Sequence, residues 1–435
     1  MSQERSKPAT AHPLRALRHR NFRLFFAGQL ISLTGTWMQQ VAQSWLIYRL
    51  THSALLLGAI GFAGQIPSLI FGPLGGHVAD RHERRRVLVI TQSASMILAF
   101  VLAALTLSNV IREWELFVLA ALLGVVNAFD VPVRQAFLVQ MVEREDLMNA
   151  IALNSSMFNG ARVVGPAIAG LLVAAIGEGW CFFANAVSYI AVIIGLLMMS
   201  IPSLAPQSIS ASPWENIVEG FRYVATTAPI RALLLLIGLV SFAGMPYTVL
   251  MPVFADHILH QGARGLGILM GASGIGALIG SVMLAMRSSV RGLGRWVAVA
   301  SMAFGASALA FAFSKNFLLS IIVLVPLGTS MMVQMASSNT LIQSMVRDEL
   351  RGRVMSVYTM MFVGFGPIGA LVAGSMAEHI GAPKTVAAGA VLTILGSIVF
   401  AIRLPQLRGE ARALIIAQQA GAGEPVEQAT ATGAE

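Results

Sequence analysis

The chain has 435 residues, 56% of them hydrophobic and only 11% charged, against about 25% charged in a typical soluble domain. So few charges cannot coat a water-facing surface of this size, which excludes an ordinary soluble protein and makes the lipid bilayer the expected solvent for most of the exterior. The net charge of +9 would suit a nucleic-acid binder if the basic residues formed one patch; they lie in short runs between apolar stretches, so no nucleic-acid partner is expected.

Residues 1–20 are polar and arginine-rich, and no small-residue cleavage site follows a short apolar core, so the first apolar stretch is expected to be a retained helix and not a cleaved signal. An apolar run of about 20 residues spans a bilayer as a helix. Twelve such runs are present. Those of the first half are 24–48, 54–76, 87–110, 116–139, 150–176 and 180–201. Those of the second half are 230–254, 266–286, 296–313, 317–340, 354–377 and 385–404. Their length and lack of alternation exclude a closed barrel. The expected class is an all-α membrane protein of two six-helix bundles. The single cysteine, Cys181, excludes an internal disulfide and any cysteine-based metal site.

The loops alternate in charge. One set collects Arg15, Arg18, Arg20 and Arg23, then Arg81, Arg84, Arg85 and Arg86, then Arg144. In the second half it holds Arg287, Arg291 and Arg295, then Arg347, Arg351 and Arg353, then Arg403, Arg408 and Arg412. The opposite loops hold Arg49, Arg112, Arg264, Lys315 and Lys384. Basic loops stay on the cytoplasmic side, so the expected topology is multi-pass in the inner (plasma) membrane with both termini cytoplasmic.

Residues 1–201 and 230–408 are the two expected halves. Between them, 202–229 carries Pro202, Pro206, Pro213 and Pro229 among serines and is read as a cytoplasmic linker, with 214–224 suited to a short surface helix. Residues 409–435 are rich in Ala, Gln and Gly and are read as a disordered cytoplasmic tail. A weak repeat of about 200 residues relates the halves. Met141-Val142, nearby acids and Gly165-Pro166 recur as Met345-Val346, Asp348-Glu349 and Gly366-Pro367, and Gly177 and Gly381 close the corresponding helices. Two repeats rocking about a site at their interface is a common transporter plan.

The sharpest motif lies between the second and third runs: Gly76, Asp80, Arg81, Arg84 and Arg85. Gly76 would let the helix end approach a neighbour closely. Asp80 sits where the helix leaves the membrane and could pair with Arg84 or meet the positive end of a helix. This Gly-x-x-x-Asp-Arg-x-x-Arg-Arg pattern resembles the signature loop of the major facilitator superfamily, with Glu83 departing from the glycine of many members. The resemblance implies an inner gate in which Asp80 faces the start of the eleventh helix, near Gly352–Val354.

The chain resembles most closely a branch of siderophore exporters of the enterobactin type and macrolide-efflux proteins. The matching stretches include Gly35–Gln40, Ala79–Arg84, Asp130–Arg134, Asn149–Ala152, Asn159–Pro166 and Cys181–Ala186; the second half matches mainly by helix count, and its loop 287–295 lacks the signature aspartate. Gly160, Gly165, Pro166 and Gly170 resemble the antiporter motif of exporters. These small residues permit close helix contact, and Pro166 frees a backbone carbonyl; a simple bend is the plainer reading.

Arg162 lies near mid-membrane, where a charge is usually paired or faces a water-filled cavity. Its expected partner is Asp130, with Arg134 one turn on able to share the carboxylate. Arg162 either binds an anionic substrate or switches partners between states, or it belongs to a fixed structural pair. Gln29, Ser32, Thr36, Gln39 and Gln43 fall on one face of the first helix, suited to lining a cavity or to bonding helices together. Ser330, Met331, Gln334, Met335 and Ser338 form a second candidate lining, methionine being common at adaptable binding surfaces; ordinary core filling is the alternative.

Asp130 is the candidate proton carrier, since the first helix has no carboxylate and Asp256 and Glu378 lie at outer helix ends. No phosphate-cradling Gly-x-x-x-x-Gly-Lys-Ser/Thr loop is present, and the eight histidines show no metal-ligand spacing, so neither ATP, cofactor nor metal is expected. The resemblance implies a secondary-active exporter of a siderophore or drug-like small molecule that alternates access, with a proton as coupling ion and a monomer as a plausible state. An importer on the same fold and a channel-like or sensory protein are the alternatives. A membrane enzyme would need clustered His, Asp or Glu at one membrane face, and none is visible.

Overall fold

In the computed structural model, residues 14–200, 213–287 and 289–421 are described, and all long elements among them are helices. The first six are α1 (Arg20–Thr51), α2 (Ala54–Arg81), α3 (Arg84–Leu107), α4 (Glu113–Leu138), α5 (Leu147–Ile176) and α6 (Glu178–Met198). The second six are α7 (Ala228–Ile258), α8 (Gly262–Ala285), α9 (Leu293–Phe313), α10 (Phe317–Met345), α11 (Asp348–Ile380) and α12 (Ala382–Gly421). Eleven are long and apolar enough to cross a membrane among the described residues. The helix outside that set is α1, whose 32 residues would reach across but whose apolar face is diluted by glutamines, serines and threonines.

Local chemistry sets the ends. Ser53 Oγ accepts the Leu56 N–H at the start of α2, and Asn316 Oδ1 accepts the Leu319 N–H at the start of α10, each replacing a partner the first helical turn lacks. The α5–α6 and α11–α12 junctions turn on Gly177 (φ 89°) and Gly381 (φ 85°), backbone that glycine alone adopts without strain. Within α7 and α11 the winding widens to π-type turns at Val240–Gly244, Phe254–Ile258 and Met360–Gly364. These flank Pro246, Pro252 and Pro367, whose missing N–H and bulky ring break the regular hydrogen-bond ladder.

The packing repeats. In the first half α1 lies on α5 and α6, α2 on α4, and α3 on α4 and α6; in the second α7 lies on α11 and α12, α8 on α10, and α9 on α10 and α12. The halves join through α5 on α8 and α2 on α11, two contacts exchanged by the same twofold. Both are glycine crossings. A Cβ on Gly58 would lie 3.0 Å from Gly374 Cα, and one on Gly170 would lie 2.8 Å from Gly267 Cα. Backbones this close gain dispersion along the seam, the main attraction available between apolar helices in lipid.

The halves meet from their middles to the end opposite the basic loops, called the far end here. α2 packs mainly on the 360–380 part of α11, away from its first turns, 348–359. Inward of the seam, α5 leaves Met148 and Phe158 exposed, α8 leaves Ile279 and Met283 exposed, and Met286 just beyond its end is exposed as well. The cleft between the halves therefore opens at the basic end.

The Pro213–Thr226 helix docks on the first turns of α11, where Arg353 Nη1 pairs with Glu219 Oε2 at 2.7 Å and Gly220 lets the two backbones touch; the linker residues 202–212 lie outside the described residues. One boundary differs from the sequence expectation. The expected disorder from residue 409 does not begin there, because α12 continues to Gly421. Leu407, Ala411, Leu414 and Ile415 make an apolar stripe at helical spacing that packs on the hydrophobic core. Residues 422–435 lie outside the described residues.

Candidate functional site

The signature loop is a clamp on helix ends. Arg84 donates from Nε to Ala79 O (3.0 Å) and from Nη1 to Ala136 O (3.1 Å), and Arg85 donates from Nη2 to Leu197 O (2.7 Å). One loop thus satisfies carbonyls at the ends of α2, α4 and α6, where cations are favoured. Two expectations about this loop fail. Gly76 has nothing within 4 Å of an added Cβ, whereas its neighbour Gly75 lies against the Ala128 and Phe129 backbone of α4. Asp80 pairs with neither Arg84, which is engaged elsewhere, nor any other described residue, and Gly352 likewise has open space around it. The structure does not bring Asp80 to the start of α11, because the cleft is open at that end. Arg81 is exposed beside it.

The expected pairing of Asp130 with Arg162 is also absent. Asp130, 2% exposed, is held by its own half. Its carboxylate accepts from Thr91 Oγ1 (2.8 Å) and Gln92 Nε2 (2.7 Å) and pairs with Arg134 Nη2 at 3.1 Å. Arg134 also donates from Nη1 to Gln29 Oε1 at 3.0 Å. The physical reason is helix pairing: α4 faces α2 and α3, whereas α5 faces α1 and α8, so the two mid-helix charges point into different seams.

Arg162 instead sits where the halves meet. Its Nη2 lies 3.9 Å from Met331 Sδ on α10, and its guanidinium carbon is 5.8 Å from the Trp37 ring centre on α1. Trp37 packs edge-on to Phe158 at 5.6 Å. Across the seam, Tyr247 is fully buried with its hydroxyl 2.9 Å from Ser273 Oγ. No carboxylate reaches Arg162 among the described residues. A charge at this depth costs about 2.5–3.5 kcal/mol on insertion scales, and a thioether and a ring face recover only part of that.

The polar stripe of α1 divides. Gln29 bonds Arg134, Gln39 Oε1 accepts from Asn185 Nδ2 at 2.7 Å, and Ser32 is buried. Gln29 and Gln39 hold the first half together, and none of the three lines an open cavity. Thr36 is exposed and Gln43 half-buried. On α10, Ser330, Met331, Gln334 and Ser338 are buried and Met335 is half-buried. Both ends of the Gln334 amide and the hydroxyls of Ser337 and Ser338 have no hydrogen-bond partner among the described residues. In the antiporter-like motif the roles separate as well. Gly165 admits Trp37 and Thr34 of α1, Gly170 and the Pro166 carbonyl touch Gly267 of α8, and Gly160 approaches nothing.

Comparison with known proteins places this arrangement. Residues 11–428 match the model of the family described as transmembrane secretion effector. The chain belongs to that family. It is a transporter of the major facilitator fold, a multi-pass membrane protein and not an enzyme. Among curated proteins it is similar to the staphyloferrin A transporter of Staphylococcus aureus, 28% identical over 86% of this chain and 94% of that protein. It is also similar to the enterobactin exporter of Citrobacter koseri, 27% identical over 91% and 93%, and to macrolide efflux protein A of Streptococcus pyogenes, 23% identical over 83% and 90%. Among solved structures, a bacterial homologue of the human lysosomal transporter Spinster, inward-facing and occupied, superposes with a TM-score of 0.67 at 13% identity over 92% of this chain and 99% of that one.

The chain also carries two clusters that sequence reading did not assemble. At the basic end, buried Asp146 meets Arg15 (3.0 Å), Arg18 (2.8 Å) and His19 (2.8 Å), tying the approach to α1 onto the α4–α5 loop. At the far end, Glu378 of α11 reaches the first turn of α2: its Oε2 accepts from Ser53 Oγ (3.1 Å), Ala54 N (2.9 Å) and Leu55 N (3.1 Å). A carboxylate from one half thereby caps a helix of the other. The signal was a lone acid at a helix end beside a serine cap, which has no meaning until α2 and α11 are known to touch. Glu378→Ala is expected to weaken far-end closure by about 1 kcal/mol, roughly fivefold in population. Pulsed spin-label distances between Asn109 and Lys315 should gain a longer component; an unchanged distribution refutes the latch.

Proposed function

We propose that this transporter is a secondary-active exporter of a siderophore or drug-like small molecule, working in the inner (plasma) membrane by alternating access with a proton as coupling ion. The observation that carries the reading is the seam itself. Two glycine crossings related by one twofold seal the far end, while the cleft parts toward the basic end. With the basic loops and both termini in the cytoplasm, the chain is open inward. Rocking about the Arg162 level would then open the far end and bring Asp80 toward the first turns of α11. The names of the similar siderophore and macrolide proteins support export and the class of cargo.

Asp130 is the proposed proton carrier. It is buried, acidic and linked through Arg134 to Gln29 on α1, so neutralising it would free a cation to rearrange. Proteoliposomes with an imposed pH gradient test the reading. Saturable movement of a fluorescent drug against its own gradient, abolished by a protonophore, is expected; movement that neither saturates nor responds to the gradient overturns it in favour of a channel. Asp80→Asn is expected to remove most of this transport while the protein still inserts, because the basic end can no longer close on a charge. Wild-type rates from that variant would remove the gate assignment.

A further inference from the structure

We propose that the cargo is an anion: an amphipathic small molecule whose carboxylate, or a comparable pair of acidic oxygens, binds Arg162 at the seam between the halves. The inference rests on the exporter reading and specifies its substrate.

Three acids that could have served Arg162 are placed elsewhere. Asp130 is engaged by Arg134, Thr91 and Gln92. Glu378 caps α2 at the far end, and Asp80 lies at the basic end. Arg162 is left with a sulfur and a ring face, neither of which neutralises it. An intramembrane cation is normally paired or turned toward a cavity, and the missing anion has no source among the described residues around it. A guanidinium presents a planar fork that matches two oxygens on one carbon, and such bonds are the strong ones.

The surroundings define the rest of the molecule. Trp37 and Phe158 from the first half offer aromatic faces, and Met331 from the second offers a deformable thioether. These suit an irregular apolar body. Gln334 lies three residues along α10 from Met331, on the same helix face. It is 1% exposed with both amide ends unpartnered, an arrangement that is expensive unless something polar meets it. A neutral polar group on the cargo, beside its acid, would do so. Because Arg162 and Gln334 belong to opposite halves, one ligand touching both would tie binding to the rocking motion, as a ligand must bind two states differently to shift them.

The test uses everted membrane vesicles from cells making the full chain, energised by respiration. Uptake is measured for two anionic amphiphiles, fusidate and deoxycholate, for cationic erythromycin and for neutral chloramphenicol. The anions should accumulate and the other two should not. Arg162→Gln should lower anion uptake roughly tenfold to a hundredfold, the range for losing a charge-assisted hydrogen bond. Arg162→Lys should give a smaller loss, expressed mainly in KM, since the charge remains and the fork does not; it also serves if the glutamine variant fails to insert. Uptake of erythromycin or chloramphenicol that Arg162→Gln leaves intact overturns the anion assignment alone. No energised uptake of any compound overturns the exporter reading and this inference with it.

Discussion

Gly58→Leu is expected to abolish transport while leaving the protein inserted and folded. The Cβ of any larger residue at this position would lie 3.0 Å from Gly374 Cα and closer still to the Ala370 carbonyl, and neither backbone can yield as a flexible side chain would. Overpacking of this kind costs about 1–3 kcal/mol. The cost falls on the far-end-closed state, because only there do α2 and α11 cross. A difference of that size shifts a two-state balance by about 5–150-fold, enough to hold the carrier open to the far side. Spin labels at Asn109 and Lys315 should separate, and Gly374→Leu should reproduce the effect from the other helix. Gly72→Leu is the control, since an added Cβ there meets nothing within 4 Å. Wild-type transport and distances in Gly58→Leu would mean that the crossing is not the seal.

Asp130→Asn is the second large effect. The substitution leaves Arg134 without its carboxylate, and breaking a buried pair by removing one partner costs about 3–5 kcal/mol. Arg134 keeps Gln29, and its side chain is 25% exposed, so the lower end of that range applies here. The melting temperature in detergent should fall accordingly. Adding Arg134→Gln should restore much of the stability, because it removes the uncompensated buried charge that makes the single change costly. It should not restore uptake driven by a pH gradient, since the carboxylate is still missing. Recovery of gradient-driven transport in the double variant would reduce the network to scaffolding, and an unchanged melting temperature in the single variant would mean that the pair is not holding the half together.

Much of the plan was legible in one dimension. Apolar runs long enough to span, arginines in alternate loops and a signature between the second and third runs each depend on composition along the chain, so no partner need be known to read them. Even the extension of α12 to Gly421 was written in the spacing of Leu407, Ala411, Leu414 and Ile415, although the Ala- and Gln-rich composition pointed to disorder. The crossing glycines carried a fainter trace. Gly58 and Gly267, like Gly170 and Gly374, occupy related places in a repeat of about 200 residues.

Contact between helices was decided only in three dimensions. Gly76 and Gly75 are adjacent in sequence, but one residue turns about 100° around a helix, so Gly75 meets α4 and Gly76 meets nothing. Gln29 and Thr36 share a stripe on α1, yet one is buried against Arg134 and the other exposed. Asp130 and Arg162 carry opposite charges inside neighbouring spans, and their sequence positions made them natural partners. Tertiary packing turned α4 toward α2 and α3 and α5 toward α8, leaving the acid satisfied inside one half and the cation exposed to the seam. Sequence sets the depth and charge of a residue on a membrane helix, because both follow from its position along the axis. The neighbour it meets depends on rotation about that axis, which is set by how all twelve helices pack.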